Sequence, residues 1–249
     1  MIDVLKSDKG NVRDNNQDYL ESSFNSNGDK IYILCDGMGG YKGGEVASLE
    51  CAKLIKSQFK NTSFVDVEEA KKWLYEVILK ANKKINNLAK KNTELDKMGT
   101  TVVCLIISEK FKVYASVGDS RIYSYNHRDL IQLSEDQTFA QALLKAGYIN
   151  EKEAAIHPKK NVLLCAIGSS EEDLDIQIKE ISGKYNYLLC SDGLYNMVDN
   201  KEILKIVNSD KEIDHKAQSL IDLANNNGGR DNVSIILVEE CLWIWSVSH

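Results

Sequence analysis

Several features that would indicate a membrane, secreted or nucleic-acid-binding protein are absent from this sequence of 249 residues. No apolar run approaches the length of a membrane span, and the N-terminus lacks the basic head and apolar stretch of a signal peptide. The net charge is −6, whereas a nucleic-acid surface requires a basic patch. We therefore expect a cytoplasmic protein that binds neither membrane nor nucleic acid.

Closely spaced cysteine pairs are absent from the sequence, and proline is scarce. The six cysteines form no C-x-x-C pair, and most of them lie inside apolar runs such as VVCLII and LLCSD. A zinc or disulfide framework is therefore not expected, and these cysteines are interpreted as small buried hydrophobic residues. Proline occurs once, at Pro158. The chain has no proline- or serine-rich linker and no internal repeat, so we predict one domain over residues 1–240.

The last nine residues, CLWIWSVSH, follow the natural end of a strand. They form a C-terminal tail over residues 241–249, which is either an extra strand or an extension added in cloning.

Short apolar or alternating runs predict strands, and stripes of apolar residues at three- and four-residue steps predict helices. The strands are predicted at 2–6, 31–35, 100–107, 111–117, 121–125, 174–181, 185–190 and 233–239. The helices are predicted at 44–59, 66–91, 136–146, 200–208 and 211–226. The three strands between 100 and 125 are joined by links too short for a parallel crossover, so we expect antiparallel hairpins. The clustering of the helices favours an α+β fold with helix-covered sheets.

Four aspartates share one kind of place, a strand–loop junction with glycine one or two residues away. These are Asp36 in ILCDGMGG, Asp119 in VYASVGDSR, Asp192 in YLLCSDGL and Asp231 in NGGRDNVSIILV. Strand ends are rigid, so carboxylates there can converge, and converging carboxylates repel unless a cation neutralises them. Each aspartate alone would be interpreted as a turn former or helix cap. Four in this context favour a metal site.

The ligand chemistry of such a site indicates which metal it would hold. Oxygen ligands without nearby histidine or cysteine favour Mg²⁺ or Mn²⁺ over zinc. Gly37 has no side chain, so its carbonyl can reach a metal. Upstream, Arg13 in GNVRDNNQDYL offers a guanidinium fork that suits a phosphate dianion, although an isolated arginine is more often a solvated surface residue.

With these residues in place, the chain resembles the metal-dependent Ser/Thr protein phosphatases, also called PPM or type 2C, in their short bacterial form. The resemblance covers residues 2–240. It rests on GNVRDNNQD, DGMGG with GGEVAS, MGTT, SVGDSR, HPKKNVLLCAIG, CSDGL and GGRDNVS, in family order and spacing. It implies a four-layer α-β-β-α sandwich, in which two central antiparallel sheets are flanked by helices.

The resemblance also implies roles for individual residues. Asp36 would bridge two Mn²⁺ or Mg²⁺ ions, with the Gly37 carbonyl, Asp192 and Asp231 completing the ligand set. A third metal would be held by Asp119 together with Asp192.

Two further roles are implied by the first motif of the family. Arg13 would bind the substrate phosphate, and Asp18 would orient metal-bound waters. The reaction implied is hydrolysis of phosphoserine or phosphothreonine by a metal-activated water, with no phosphoenzyme. In this interpretation Asp36, Asp192 and Asp231 are the catalytic aspartates.

Three positions depart from the family pattern. Met38 stands where many eukaryotic members carry a histidine proposed to protonate the leaving alkoxide. Gln17 replaces a glutamate found in many members, and Cys165 replaces an arginine of many bacterial members. The proton donor to the leaving group and one loop contact are therefore left open.

The expected partners are phosphorylated proteins and an opposing bacterial Ser/Thr protein kinase, and we expect a monomer. The sequence leaves two alternatives open. One is a catalytically inactive module that recognises phosphoproteins, against which the presence of all four aspartates argues. The other keeps the chemistry but changes the substrate to a small phosphate ester or a phosphorylated regulator.

Overall fold

A computed structural model of the chain describes residues 1–169 and 174–240. Its strands, in chain order, are β1 (Ile2–Asp8), β2 (Asp18–Phe24), β3 (Lys30–Met38), β4 (Gly99–Thr100), β5 (Val102–Ile107), β6 (Lys112–Val117), β7 (Arg121–Tyr125), β8 (Leu130–Gln132), β9 (Gln177–Glu180), β10 (Asn186–Cys190) and β11 (Val233–Glu239). Its α-helices are α1 (Gly40–Phe59), α2 (Val67–Lys91), α3 (Phe139–Lys145), α4 (Glu151–Ile156), α5 (Asp192–Tyr195), α6 (Asn200–Val207) and α7 (Ile213–Asn226). The tail at 241–249 lies outside the described residues.

The described strands form two sheets in which every pairing is antiparallel. One sheet has the order β1-β11-β10-β7-β8, and the other has the order β2-β3-β5-β6-β9 with β4 paired to β3. Three apolar clusters separate four layers. The first lies between α1, α2 and the β3 sheet, the second between the two sheets, and the third between the β11 sheet and helices α5–α7. The α-β-β-α sandwich that the resemblance implied is confirmed.

Strand β3 shows why the sheets are covered on both faces. Ile31, Ile33 and Cys35 point into the cluster beneath the helices, whereas Tyr32 and Leu34 point into the cluster between the sheets. Successive side chains on a strand alternate between its faces, so a strand with both faces covered is a continuous apolar run. The same alternation occurs in β11.

The predicted hairpins are confirmed in one case and wrong in the other. β5 and β6 pair as a hairpin closed by Ser108 and Phe111. β6 and β7 do not pair, because residues 118–120 carry the chain from one sheet into the other. The short link suits both arrangements, and the packing of the sheets decides between them.

Other differences concern short elements. The predicted strand 100–107 is divided at Thr101 into β4 and β5, and the predicted strand 174–181 is reduced to β9. β2, β8 and the short helices α4 and α5 were not predicted. Within the part of the chain that the structure describes, no helix is both long enough and apolar enough to span a bilayer.

Candidate metal centre and phosphate site

A cavity of about 620 Å³ opens where both sheets end. Six of the seven residues predicted for the site line it: Arg13, Asp36, Gly37, Asp119, Asp192 and Asp231. These residues come from the β1–β2 loop, β3, the β6–β7 link, α5 and the loop before β11. The structure thus brings together residues that lie up to 218 positions apart in the chain. The seventh residue, Asp18, is buried and does not contribute to the cavity wall.

Asp36 is held at the end of β3 by its own backbone. Its N–H donates to Thr101 Oγ1 at 3.0 Å, and its carbonyl accepts from the Thr101 N–H at 2.8 Å. The next residue must be glycine, because a Cβ at Gly37 would lie 2.1 Å from the Gly44 carbonyl oxygen. The close approach of α1 to the last residues of β3 therefore explains the first glycine of DGMGG.

A second close approach brings Asp192 beside Asp231. Asp192 begins α5, and Gly193 packs against the backbone of Asn232, so that a Cβ on Gly193 would lie 2.0 Å from the Asn232 carbonyl oxygen. The CSDGL and GGRDN motifs are therefore in backbone contact. Asn196, one turn further along, donates to Asp192 Oδ2 at 3.0 Å.

The loop that carries Arg13 is pinned by Asn232. The Asn232 amide donates to the carbonyls of Lys9 and Asn15 at 2.8 and 2.9 Å, and its oxygen accepts from the Gln17 N–H at 2.8 Å. Arg13 Nη2 lies 2.6 Å from Asp231 Oδ2. The pKa of Arg13 is raised, chiefly by this hydrogen bond. The predicted phosphate ligand and a predicted metal ligand thus form an ion pair at the edge of the cavity.

The buried carboxylates hold their protons more tightly than free aspartate does. Burial raises the pKa of Asp36 and Asp192 well above the usual value, and neighbouring aspartates raise it further. Burial likewise raises the pKa of Asp18 and of Asp119 to about 6. Like charges confined in a poorly solvated site favour the protonated form unless a cation is present.

The residues present fit a divalent cation by their chemistry. The donors at the cavity are carboxylate and carbonyl oxygens, which Mg²⁺ and Mn²⁺ prefer. Behind them, Asp18 Oδ1 is buried and has no hydrogen-bond partner among the described residues. Over residues 1–169 and 174–240, however, no three His, Cys, Asp or Glu side chains already form a metal-binding group. The fit is therefore one of residue type and charge, and the ligand roles remain predictions.

Several residues that shape the site were not singled out from the sequence. Thr101, Asn161, Leu163 and Asn232 all line the cavity. Thr101 and Asn232 lie in the MGTT and GGRDNVS motifs, whose repeated polar side chains could have signalled a role. Tyr195 supports the cavity from outside, since its hydroxyl donates to the Asp119 carbonyl at 3.0 Å. Nothing in the sequence near Tyr195 indicates this contact.

Comparison with known proteins identifies the family. Residues 11–222 match the sequence profile described as "Protein phosphatase 2C". The chain belongs to the protein phosphatase 2C family. This 2C-type phosphatase is 37% identical over 240 residues to the serine/threonine phosphatase stp of Listeria monocytogenes, covering 96% of this chain and 95% of that one. It is 38% identical over 237 residues to the protein phosphatase PhpP of Streptococcus pneumoniae, covering 94% and 95% of the two chains.

Solved structures of other family members share the fold of this 2C-type phosphatase. Stp1 from Staphylococcus aureus superposes with a TM-score of 0.90 at 35% identity, covering 96% of this chain and 94% of that one. The catalytic domain of PstP, solved in complex with two manganese ions, has a TM-score of 0.82 at 29% identity, covering 96% and 97% of the two chains. The two manganese ions belong to that protein.

Proposed function

We propose that this 2C-type phosphatase hydrolyses phosphoserine and phosphothreonine in proteins at a dinuclear Mn²⁺ or Mg²⁺ centre. The observation that carries the proposal is the convergence of Asp36, Asp119, Asp192 and Asp231 on one cavity, with Arg13 at its edge. The relatives named as serine/threonine phosphatases support the same substrate class. Residues 1–240 would form the single domain that performs this reaction.

In this proposal Asp36, the Gly37 carbonyl, Asp192 and Asp231 hold the two ions, and Asp119 with Asp192 holds a weaker third one. When bound, the ions supply an activated water nucleophile and neutralise charge on the phosphate. Asp18 lies behind Asp36 on the neighbouring strand and supports water at the centre through its buried carboxylate.

Arg13 binds the phosphate. Its planar guanidinium has five N–H donors, and the ion pair with Asp231 engages Nη2. The side chain of Arg13 is 55% exposed, so a phosphate entering from solvent can reach the remaining donors. A forked contact to two equatorial oxygens would orient the phosphorus and stabilise the charge that these oxygens carry in the transition state.

The leaving alkoxide needs a proton, and Met38 lines the cavity at the position where many eukaryotic members carry histidine. Its thioether cannot donate a proton. We therefore assign protonation of the leaving group to water rather than to a side chain at position 38.

The test is hydrolysis of matched phosphoserine, phosphothreonine and phosphotyrosine peptides, with a small aryl phosphate in parallel, each in Mn²⁺, Mg²⁺ or chelator. We expect turnover of the first two peptides with either metal and none in chelator. Full activity in chelator would contradict the metal mechanism. A strong preference for the small ester would favour the alternative substrate class, and binding of the peptides without turnover would favour an inactive recognition module.

An opposing Ser/Thr protein kinase follows from this chemistry, because a phosphoserine or phosphothreonine must first be made by phosphoryl transfer to a hydroxyl group. Incubation of the phosphatase with an autophosphorylated bacterial Ser/Thr kinase domain, followed by mass spectrometry of its phosphosites, tests the pairing. Sedimentation of the phosphatase tests the expectation of a monomer.

A further inference from the structure

Asp119 lies in an unusual place for a metal-binding candidate. It belongs to the three-residue link that leaves β6 in one sheet and enters β7 in the other, and only 5% of its surface is exposed. No ladder of strand hydrogen bonds holds such a link. The position of its carboxylate therefore depends on the contacts that brace residues 118–120.

Two of these contacts hold the residues on either side of Asp119. Gly118 exchanges hydrogen bonds with Gln137, through its N–H at 2.7 Å and its carbonyl at 3.0 Å. The Ser120 hydroxyl lies 2.7 Å from the hydroxyl of Thr101, which also accepts the Asp36 N–H. The link is thus tied to the β3 side of the cavity.

A third contact ties Asp119 itself to the Asp192 side. The Tyr195 hydroxyl donates to the Asp119 carbonyl at 3.0 Å. Tyr195 is the last residue of α5 and Asp192 is the first, so both belong to the same helical turn. Residues three positions apart on a helix lie on the same face. One short rigid element therefore carries a site carboxylate and the hydroxyl that holds its neighbour.

Tyr195 is itself fixed by Arg121, the second residue after Asp119. The Arg121 guanidinium stacks 3.4 Å from the centre of the Tyr195 ring. Its fork binds Asp136 through Nε at 2.9 Å and Nη2 at 2.6 Å, and Nη1 donates to the Tyr123 hydroxyl at 2.9 Å. A planar guanidinium whose three nitrogens are all hydrogen-bonded leaves the tyrosine ring stacked on it little freedom to rotate.

We propose that Tyr195, clamped by Arg121, is a positioning residue that fixes Asp119 relative to Asp192 and so sets the affinity of the weaker cation between them. The inference rests on the proposed function, because it presupposes a cation at this edge of the cavity. It assigns the hydroxyl of Tyr195 a task distinct from that of its ring. The ring packs against Arg121, whereas the hydroxyl aligns the link.

The two tasks can be separated by Tyr195→Phe, which keeps the ring and removes the hydroxyl. The matched control is Tyr114→Phe, which removes a hydroxyl that also donates to a backbone carbonyl, that of Leu133, and that contacts neither Arg121 nor Asp119. Asp119→Ala is the reference for loss of the site. Each protein is depleted of metal, checked for folding by thermal unfolding, and titrated with Mn²⁺ by calorimetry.

We expect Tyr195→Phe to bind the tighter ions as the wild type does, and the weaker Mn²⁺ about two- to tenfold less tightly, the effect of one lost hydrogen bond. Tyr114→Phe should match the wild type, and Asp119→Ala should lose the weaker ion. The Mn²⁺ concentration for half-maximal turnover should rise in Tyr195→Phe by the same factor, and saturating Mn²⁺ should restore kcat. Excess metal would not restore an enzyme that is merely misfolded.

A second variant keeps the test open if Tyr195→Phe fails to fold. Arg121→Lys retains the charge but loses the planar stack and the fork, so it should weaken the same Mn²⁺ in the same direction. The inference is overturned if Tyr195→Phe binds every ion like the wild type, if it loses the tighter ions as well, or if the wild type binds no weaker ion. The first two results leave the proposed function standing, and the third removes only the weaker ion from it. Absence of both Mn²⁺ binding and peptide hydrolysis in the wild type would overturn both.

Discussion

Asp18 and Asp36 lie directly opposite each other on the neighbouring antiparallel strands β2 and β3. Like charges at opposite positions of a strand pair destabilise a sheet, and burial increases that cost. Burial is the largest cause of the raised pKa of each carboxyl, and in Asp36 the charge of Asp18 is the next. A sheet that retains such a pair has a use for concentrated negative charge, which agrees with the proposed cation site.

Replacing Asp36 tests the centre most directly. Asp36→Asn should abolish hydrolysis of a phosphothreonine peptide, because the residue assigned to both ions loses its charge. The metal-free variant should be more stable than the wild type by about 1 kcal/mol or more, since one of several repelling carboxylates is gone. Peptide assays in Mn²⁺ and thermal unfolding in chelator measure the two effects. Asp210→Asn, at an exposed position, is the matched control, and an active Asp36→Asn enzyme would refute the assignment.

Arg13 is expected to act on phosphate rather than on metal. Arg13→Ala should lower kcat/KM by about 10- to 150-fold, which corresponds to the roughly 1.5–3 kcal/mol of a hydrogen bond to a charged group. Affinity for Mn²⁺ should change little, because the exposed ion pair with Asp231 contributes weakly. The control is Arg230→Ala, which removes the same charge from an exposed residue next to Asp231 in the sequence. This variant should leave kcat/KM nearly unchanged. A variant whose only defect is lost metal would exclude the phosphate role.

The metal-free protein should lose stability as the pH rises. The pKa of Asp18 and of Asp119 is about 6 in the folded state, against an ordinary value of 3.8, so the folded protein binds more protons than the unfolded chain between these values. The stabilisation is complete below the ordinary value and is lost as the pH rises through about 6. Between about pH 5.5 and pH 7.5, each group should contribute a decrease of about 1 kcal/mol in the unfolding free energy.

Urea unfolding in chelator at the two pH values measures this decrease. Asp18→Asn is the control, since it should reduce the pH dependence by its own share. Saturating Mn²⁺ should remove most of the dependence, because bound cations favour the charged carboxylates. A wild type and an Asp18→Asn variant with identical pH dependence would show that Asp18 does not titrate in this range.

Gly193→Ala should damage the centre without touching a carboxylate. The added Cβ would lie 2.0 Å from the Asn232 carbonyl oxygen, so α5 and the loop before β11 must separate. We expect a loss of about 1–3 kcal/mol in unfolding free energy, as for other overpacked sites, together with weaker Mn²⁺ binding. The control is Gly28→Ala, whose added methyl group would have no other atom within 4 Å. Only the positive φ of Gly28 disfavours this substitution. Normal Mn²⁺ affinity in Gly193→Ala would show that this contact does not set the spacing of Asp192 and Asp231.

The fold class and most of the residues of the candidate site are predictable from the sequence. The glycine–aspartate motifs predict strand ends because each places a carboxylate and a glycine at one end of an apolar run. The wall of the cavity is less predictable. Asn161 and Leu163 reach it from a loop whose own sequence has no strong pattern, and Tyr195 acts through a backbone carbonyl.

The sequence patterns by themselves determined an α+β fold with helix-covered sheets and the residue types able to bind a cation and a phosphate, whereas the two-sheet sandwich was implied by the family resemblance. Local rules suffice there, because alternation, helical periodicity and oxygen donors are properties of short segments. Only the tertiary structure decided that β6 and β7 belong to different sheets, and that Asp18 lies behind Asp36 rather than in the cavity wall. Both depend on which faces of the sheets pack together, and that packing involves residues far apart in the sequence. The residues of a short link, or a single carboxylate, do not indicate it.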